Sequence, residues 1–204
     1  MATIDPKAFF SITYGLYLLS VRNGDKDNAC IINTAMQVTD NPKRISVTIN
    51  KQNLTAMMLA RTGHFAVTAL SEKTPFSFFE RFGLQSGMNA EKFPSLDGFA
   101  RTEGGLLYPT ASASSVIEAK VFSEVDLGTH VCFFADVTEA TVLSAETPMS
   151  YAYYFANVKP KPAAPKKTGY VCKICGYVYE GEPLPEDFIC PLCKHGASDF
   201  EKIN

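Results

Sequence analysis

Tryptophan is absent from this chain of 204 residues, and neither charge sign dominates: 19 Lys and Arg face 21 Asp and Glu, a formal net charge of −2. That balance excludes the broad basic footprint by which a domain holds nucleic acid or an anionic membrane surface. Long apolar runs are also missing. The longest, AFFSITYGLYLL at Ala8–Leu19, is interrupted by Ser11, Thr13 and Gly15. Asp5 stands where a signal peptide needs cations, and the following SVRNGDKDN offers no small-residue cleavage site. The run therefore reads as a buried first strand, and a cytoplasmic location follows. No G-x-G-x-x-G opens a helix and no P-loop is present, which argues against a Rossmann-type nucleotide site. Cysteine is scarce through most of the chain. Cys30 and Cys132 stand alone in apolar strands and read as core residues, while the other four of the six crowd into Cys172–Cys193. In a reducing compartment, paired cysteines point to metal or redox chemistry before structural disulfides.

Most of what remains is strand. YGLYLLSVRN, CIINTAMQV, RISVTIN, HFAVTAL, SVIEAKVFSEV and HVCFFADVTEATVL are rich in Val, Ile, Thr, Tyr and Phe, with Asn, Gly, Asp and Pro between them. NGDKDN reads as a hairpin turn. Two stretches have helical spacing instead: NLTAMMLART, with Asn53 as N-cap, and TPFSFFERF, with Thr74 as N-cap and Pro75 at the first helical position. The pattern predicts an antiparallel barrel or sandwich with short helices. It ends at KPKPAAPKK (Lys159–Lys167), whose three prolines and four lysines can neither anchor a strand nor continue a helix. The expected division is a domain at 1–157, an extended linker at 158–167 and a second domain at 168–204.

The second domain is too short to offset its conformational entropy with apolar burial alone; below about 40 residues a fold usually needs a disulfide, a metal or a partner. Cys172, Cys175, Cys190 and Cys193 meet that need as two C-x-x-C pairs. Two such turns facing each other place four thiolates at the corners of a tetrahedron, which suits zinc or iron. Tyr170, Tyr177, Tyr179, Phe188 and Phe200 alternate with the ligands and are expected to shield the metal. Gly176, after the second cysteine, lets backbone N–H groups approach the sulfurs, which raises an iron centre's potential. YVCKICGYVYEGEP, LPEDFICPLC and SDFEKI together resemble rubredoxin, and the resemblance spans the whole domain and implies iron. Two features depart from it. The segment between the pairs is short, and Lys194 stands where a glycine is expected, which puts the hydrogen bonding of the second knuckle in question. Lys173, Lys194 and Lys202 face Glu180, Glu182, Glu186, Asp187, Asp199 and Glu201, so an acidic face around the metal is expected to steer a basic partner.

A one-electron site on a tether implies a redox neighbour. NACIINTAMQVTDNP, SVTINKQNLTAMMLARTGHFAVTAL, GLQSGMNAEKF, the Gly128-Thr129-His130 turn and PMSYAYYF resemble the flavin reductase-like, FMN-binding split-barrel family. The resemblance implies a mainly β fold: an N-terminal antiparallel split β-barrel of Greek-key type with short helices, beside the small C-terminal rubredoxin-like iron domain. It implies that Asn50, Lys51, Asn53 and Thr55, where a strand gives way to a helix, hold the FMN phosphate. It further implies that Asn33, Thr34, Ala35, Met36 and Gln37 lie along the flavin ring, that Ser86, Gly87 and Lys92 close the site, and that His130 stands near the flavin as the candidate catalytic residue. Family members are usually homodimers.

The two halves together resemble the high-molecular-weight rubredoxins. That resemblance implies that NAD(P)H reduces FMN, that FMN reduces the iron singly, and that the iron serves a redox protein such as a flavodiiron nitric oxide or oxygen reductase. Two other readings stay open: a flavoredoxin-like carrier without NAD(P)H activity, and a zinc-ribbon interaction module on a flavin-binding scaffold. No nucleic-acid or membrane partner is expected.

Overall fold

The computed structural model of the chain describes residues 4–160 and 169–203. Of the linker read at 158–167, residues 161–167 lie outside the described residues. The chain divides into two compact units, Met1–Lys159 and Pro160–Asn204.

In the first unit a 3₁₀ turn (Pro6–Ser11) precedes β1 (Tyr17–Asn23), β2 (Lys26–Ile32), β3 (Ala35–Thr39), β4 (Arg44–Asn50), α1 (Leu54–Thr62) and β5 (His64–Leu70). Then come α2 (Phe76–Phe79), running into a π-helical turn (Glu80–Leu84), the short ribbon β6 (Phe99–Arg101) and β7 (Leu107–Pro109), the long hairpin β8 (Ala113–Asp126) and β9 (His130–Val142), and α3 (Tyr151–Tyr153) with a second π-helical turn (Tyr154–Val158). Seven strands form one sheet in the order β2-β1-β5-β8-β9-β4-β3, every pair antiparallel. β2 and β3 lie at opposite ends of that order, yet only Asn33 and Thr34 separate them in the chain. Three peptide steps reach about 11 Å at most, so the two edges must approach and the sheet curls into a barrel. Thr34 marks the seam: its hydroxyl donates to Thr48 O at 2.8 Å and its carbonyl accepts from Thr48 N at 3.1 Å. The register shifts in β8–β9 supply the bend that closure needs.

The barrel core is the inward phase of the alternating strands: Leu19 and Val21 from β1, Cys30 and Ile32 from β2, Ile45, Val47 and Ile49 from β4, with Phe65, Val67, Phe133 and Ala135 across from them. α1 covers one end through Ala56, Met58 and Leu59, an apolar stripe at helical spacing. Gly63 ends it in the left-handed conformation at φ 62°, its N–H donating to Leu59 O at 2.7 Å.

Three local expectations are corrected. The stretch 8–19 is not one buried strand: Leu16, Leu18 and Leu19 are buried, but Phe9 and Ile12 are exposed and β1 begins only at Tyr17. CIINTAMQV is two strands rather than one, because the sheet closes at Asn33-Thr34. Thr74 is not the N-cap of α2. Pro75 holds that position, and the buried Thr74 hydroxyl donates instead to Ser71 O at 2.8 Å and Ser112 O at 3.1 Å. Of the two isolated cysteines, Cys30 is buried in the core and Cys132 is half-buried.

A buried carboxylate ties the β6–β7 ribbon to the sheet. Glu118 on β8 accepts from Gly104 N at 3.1 Å and meets His64 Nε2 at 2.7 Å. Burial pushes its carboxyl up, but hydrogen bonds from Thr102, His64 and Gly104 outweigh that and hold it below the usual range. A carboxyl depressed in the fold contributes stability above its unfolded pKa, about 4.3 for Glu, and loses it as pH falls through the folded value. Glu118→Gln is therefore expected to lower stability at pH 7 by about 1–2 kcal/mol. Urea unfolding at stepped pH should show the deficit shrinking below about pH 4, where the wild-type carboxyl also carries a proton.

Candidate redox sites

The second unit is a small sheet, β10 (Gly169–Cys172), β11 (Val178–Tyr179) and β12 (Phe200–Ile203), in the order β11-β10-β12. Cys172 ends β10 opposite Phe200. The four Sγ atoms of Cys172, Cys175, Cys190 and Cys193 lie within 4.8 Å of one another. The Cys172–Cys193 pair is 3.6 Å apart and the Cys175–Cys190 pair 3.4 Å. A metal with bonds of about 2.3 Å to each sulfur needs tetrahedral edges of about 3.8 Å, so small adjustments close the cage. Cys172 and Cys190 are buried, whereas Cys175 and Cys193 are half-buried. Tyr170, Tyr177, Tyr179, Phe188 and Phe200 surround the ligands as the sequence predicts, with Phe188 edge-on to Phe200 at 5.4 Å between centroids.

The two knuckles repeat one hydrogen-bond pattern. Cys172 N donates to Tyr177 O and Gly176 N to Cys172 O, both at 2.8 Å. In the second knuckle Cys190 N donates to His195 O at 2.8 Å and Lys194 N to Cys190 O at 2.9 Å. Lys194 takes the same left-handed backbone as Gly176, φ 64° against 75°. The question raised by a lysine at this position is thereby answered: the knuckle keeps its form, and Lys194 carries a strain of about 1–2 kcal/mol that glycine would not. Backbone N–H groups still reach the sulfurs, Tyr177 donating to Cys175, Leu192 and Cys193 to Cys190, and His195 to Cys193. Burial pushes the Cys175 thiol up to about 11, while at Cys190 burial also pushes up but the N–H donors of Cys193 and Leu192, together with the neighbouring thiols of Cys175 and Cys193, outweigh it and hold the thiol below its ordinary value. Four thiolates in one cage therefore require a cation among them, and loading one releases protons.

A second polar cluster lies in the barrel where β2, the start of α1 and the loop 85–93 meet. Asn28 and Thr55 are both buried, and Asn28 Nδ2 donates to Thr55 Oγ1 at 2.8 Å. Cys30 is hydrogen-bonded to Thr55 and Asn53, and burial pushes its thiol up to about 11. Gly87 packs on Asn28 so closely that a Cβ there would lie 2.5 Å from Asn28 Oδ1. Lys92 is 3% exposed, and its ammonium donates to the carbonyls of Arg81 and Gln85 in and just after the π-helical turn. Burial lowers its pKa, with the nearby Cys30 opposing. Among the described residues no carboxylate pairs with it. A buried cation without a counter-charge stands near a helix whose N-cap, Asn53, makes no side-chain bond to the first turn. Together they form a fitting place for a phosphate. Beside it opens a cleft of about 830 Å³ lined by Asp27, Asn28, Gly87, Lys92, Phe93 and Arg101 among others.

Residues 9–161 match the family described as flavin reductase like domain, and residues 170–201 match the rubrerythrin, rubredoxin-like domain. The chain is 36% identical over 230 residues to the high molecular weight rubredoxin of Moorella thermoacetica, covering 98% of this chain and 100% of that one. This chain belongs to the high-molecular-weight rubredoxin family. The barrel alone is 35% identical over 158 residues to a ferric-chelate reductase (NAD(P)H) of Archaeoglobus fulgidus, covering 78% of this chain and 93% of that one. Its fold is that of the styrene monooxygenase flavin reductase of Pseudomonas putida S12, with a TM-score of 0.62 at 20% identity over 73% of this chain and 92% of that one. In this family member the barrel is the flavin-binding fold and the four-cysteine cage an iron site of rubredoxin type.

The residues read from the sequence as flavin contacts fall into three groups in this high-molecular-weight rubredoxin fold. Asn53, Thr55, Gly87 and Lys92 converge in the buried cluster, with Ser86 beside them as acceptor for Met88 N at 3.2 Å. Asn50, Lys51 and His130 lie on a rim: Asn50 pairs with His130 across β4–β9, and Lys51 Nζ reaches Asp126 at 2.8 Å. His130 is exposed, its Nδ1 2.9 Å from Thr129 Oγ1. Asn33, Thr34, Ala35, Met36 and Gln37 follow the seam and edge strand β3, where Met36 and Gln37 are exposed. Sequence reasoning read Cys30 as core, which it is, but did not single out Asn28. The available signal was alternation: Asn28 is in phase with Cys30 and Ile32, so a polar side chain was bound to face inward and need a partner.

Proposed function

We propose that this chain is an NAD(P)H-dependent flavin and rubredoxin oxidoreductase. Its barrel holds FMN and accepts a hydride from NAD(P)H, and its cysteine-ligated iron delivers single electrons to a separate redox protein, a flavodiiron nitric oxide or oxygen reductase being the class we favour. The observation that supports this reading is the pairing, on one chain, of a buried polar cluster at Thr55 and Lys92 with a four-thiolate cage. Bound FMN would supply the exchange between a two-electron donor and a one-electron carrier. The protein's part is to hold each group. Lys92 and the first turn of α1 anchor the phosphate, the seam strand 33–37 lies along the ring, and His130 stands at the rim by the nicotinamide's approach. The name of the Archaeoglobus fulgidus relative, a reductase using NAD(P)H, supports the choice of donor.

The functional unit is a homodimer in this reading. Met36, Val38, Phe122, Val125 and Leu127 are all at least 40% exposed on β3 and around the β8–β9 hairpin, an apolar face that suits a second copy. A cytoplasmic setting is part of the same proposal; no helix among the described residues is long and apolar enough to cross a membrane.

Anaerobic mixing with NADH, and separately with NADPH, tests the reading. Flavin absorbance should bleach first and the iron–thiolate band second, with two irons reduced per nicotinamide. A carrier fed by another protein would leave both bands unchanged with either nucleotide.

A further inference from the structure

The edge of the iron cage that faces solvent has a character of its own. Cys172 and Cys190 are sealed at 1% and 0% exposure, so an electron leaves through Cys175 and Cys193. Ile174 and Leu192, which directly precede Cys175 and Cys193, are 40% and 37% exposed, and Ile189, which precedes Cys190, is 61% exposed. Within the two knuckles the charged side chains are all of one sign. The knuckle segments 172–177 and 190–195 contain Lys173 and Lys194, with His195 next to Lys194, and no carboxylate. Lys173, Lys194 and His195 are exposed. Lys194 occupies a left-handed backbone position, φ 64°, that costs a lysine and suits a glycine. Strain kept at such a place is a pointer to use. The six carboxylates of the unit fall outside these two segments in the sequence; Asp199 meets the first knuckle through its backbone carbonyl, which accepts from Lys173 N at 2.8 Å, and Glu182 is paired with Lys202.

We infer that this edge is a cationic docking face with an apolar centre, and that it takes a protein whose own electron-exchange patch is apolar and rimmed by Asp and Glu. This reverses the acidic steering expected from the net charge of the domain. It rests on the proposed reading of the iron as donor to a protein. The transfer is one electron from ferrous iron to the partner's cofactor, with no bond or proton moved. Three small apolar side chains make a small contact, which suits a complex that must dissociate after each electron. Lys173 and Lys194 set the encounter rate, since exposed charges act on association more than on the bound state. Beside the cage, Lys194 also favours the more negative, reduced centre.

The test uses the full chain loaded with iron and flavin, reduced by dithionite, with oxidation followed at the iron–thiolate band. The acceptors are succinylated cytochrome c, which is acidic, and unmodified cytochrome c, which is basic. The variant is Lys173→Gln with Lys194→Gly, the glycine chosen because it accepts the backbone at 194. At low salt the variant should reduce the acidic acceptor about tenfold more slowly than wild type and the basic one faster, and both gaps should close above about 0.2 M salt. Lys194→Arg should behave as wild type. Equal slowing toward both acceptors, or no change toward either, overturns the docking face. If wild type reduces neither acceptor, the reading of the iron as a donor to proteins fails instead. Iron content and the thiolate band, unchanged in the variant, exclude a folding defect.

Discussion

Cys190→Ser will release the metal and leave residues 169–203 open to protease, while the barrel stays folded and keeps its flavin. The reason lies in what each unit buries. Beyond its ligands Cys172 and Cys190, the only buried apolar residue among the described residues of the second unit is Phe200, with half-buried aromatics around it. A structural four-thiolate site contributes on the order of 10 kcal/mol at neutral pH, more than so small a core can replace. The barrel has Leu19, Val47, Phe65 and Phe133 fully buried and needs nothing from the cage. Metal analysis should give about one iron per chain for wild type and none for the variant. Limited proteolysis read by mass spectrometry should show cuts confined to the second unit. Flavin lost together with iron would mean that the two units are not independent.

Lys92→Met will cut the barrel's affinity for FMN by a hundredfold or more. Its ammonium is buried, fixed on the carbonyls of Arg81 and Gln85, and has no carboxylate among the described residues. A charge-assisted hydrogen bond contributes about 1.5–3 kcal/mol, and a phosphate here would receive one in a site shielded from salt. Lys51→Ala is the contrast. Lys51 is exposed and paired with Asp126, and an exposed pair is worth about 0–1 kcal/mol, so its loss should weaken FMN by severalfold at most. Equilibrium dialysis gives both values. The Met variant also tests the wiring, because its iron ligands are untouched. Under NAD(P)H its iron should stay oxidised, and excess FMN should restore reduction. If the flavin-free variant reduces its iron at the wild-type rate, nicotinamide reaches the iron by another route. If Lys51→Ala loses as much affinity as Lys92→Met, the phosphate lies on the rim instead of in the buried cluster.

The metal cage was legible because chelation is local. Two C-x-x-C turns bring their own backbone N–H groups, and the tetrahedron follows from the spacing. Most strands were legible for a similar reason: alternation over a few residues decides which side chains enter the core. α1 was readable from its stripe and from Asn53 as N-cap. Two of the errors were of one kind. CIINTAMQV has continuous strand propensity, but the sheet must change partner at Asn33-Thr34 to close. Thr74 looks like an N-cap until Ser112, from a distant segment, supplies an acceptor.

The cluster proposed to hold the flavin sat between these cases. Thr55, Gly87 and Lys92 were picked out one stretch at a time and Asn28 was not, and the four become neighbours only when the barrel closes. The sequence by itself determined the four-thiolate site, the alternating core and the change of composition at Lys159, since each depends on residues close together in the chain. The tertiary structure decided that Lys92 turns inward while Lys51 turns out to Asp126, and that Lys194 bends into a glycine's conformation. Lys51 finds its partner 75 residues away, Lys92 is held by carbonyls that converge only once the segment 81–92 has folded back on itself, and Lys194 follows the closing of its own knuckle, geometry that alternation and spacing do not encode.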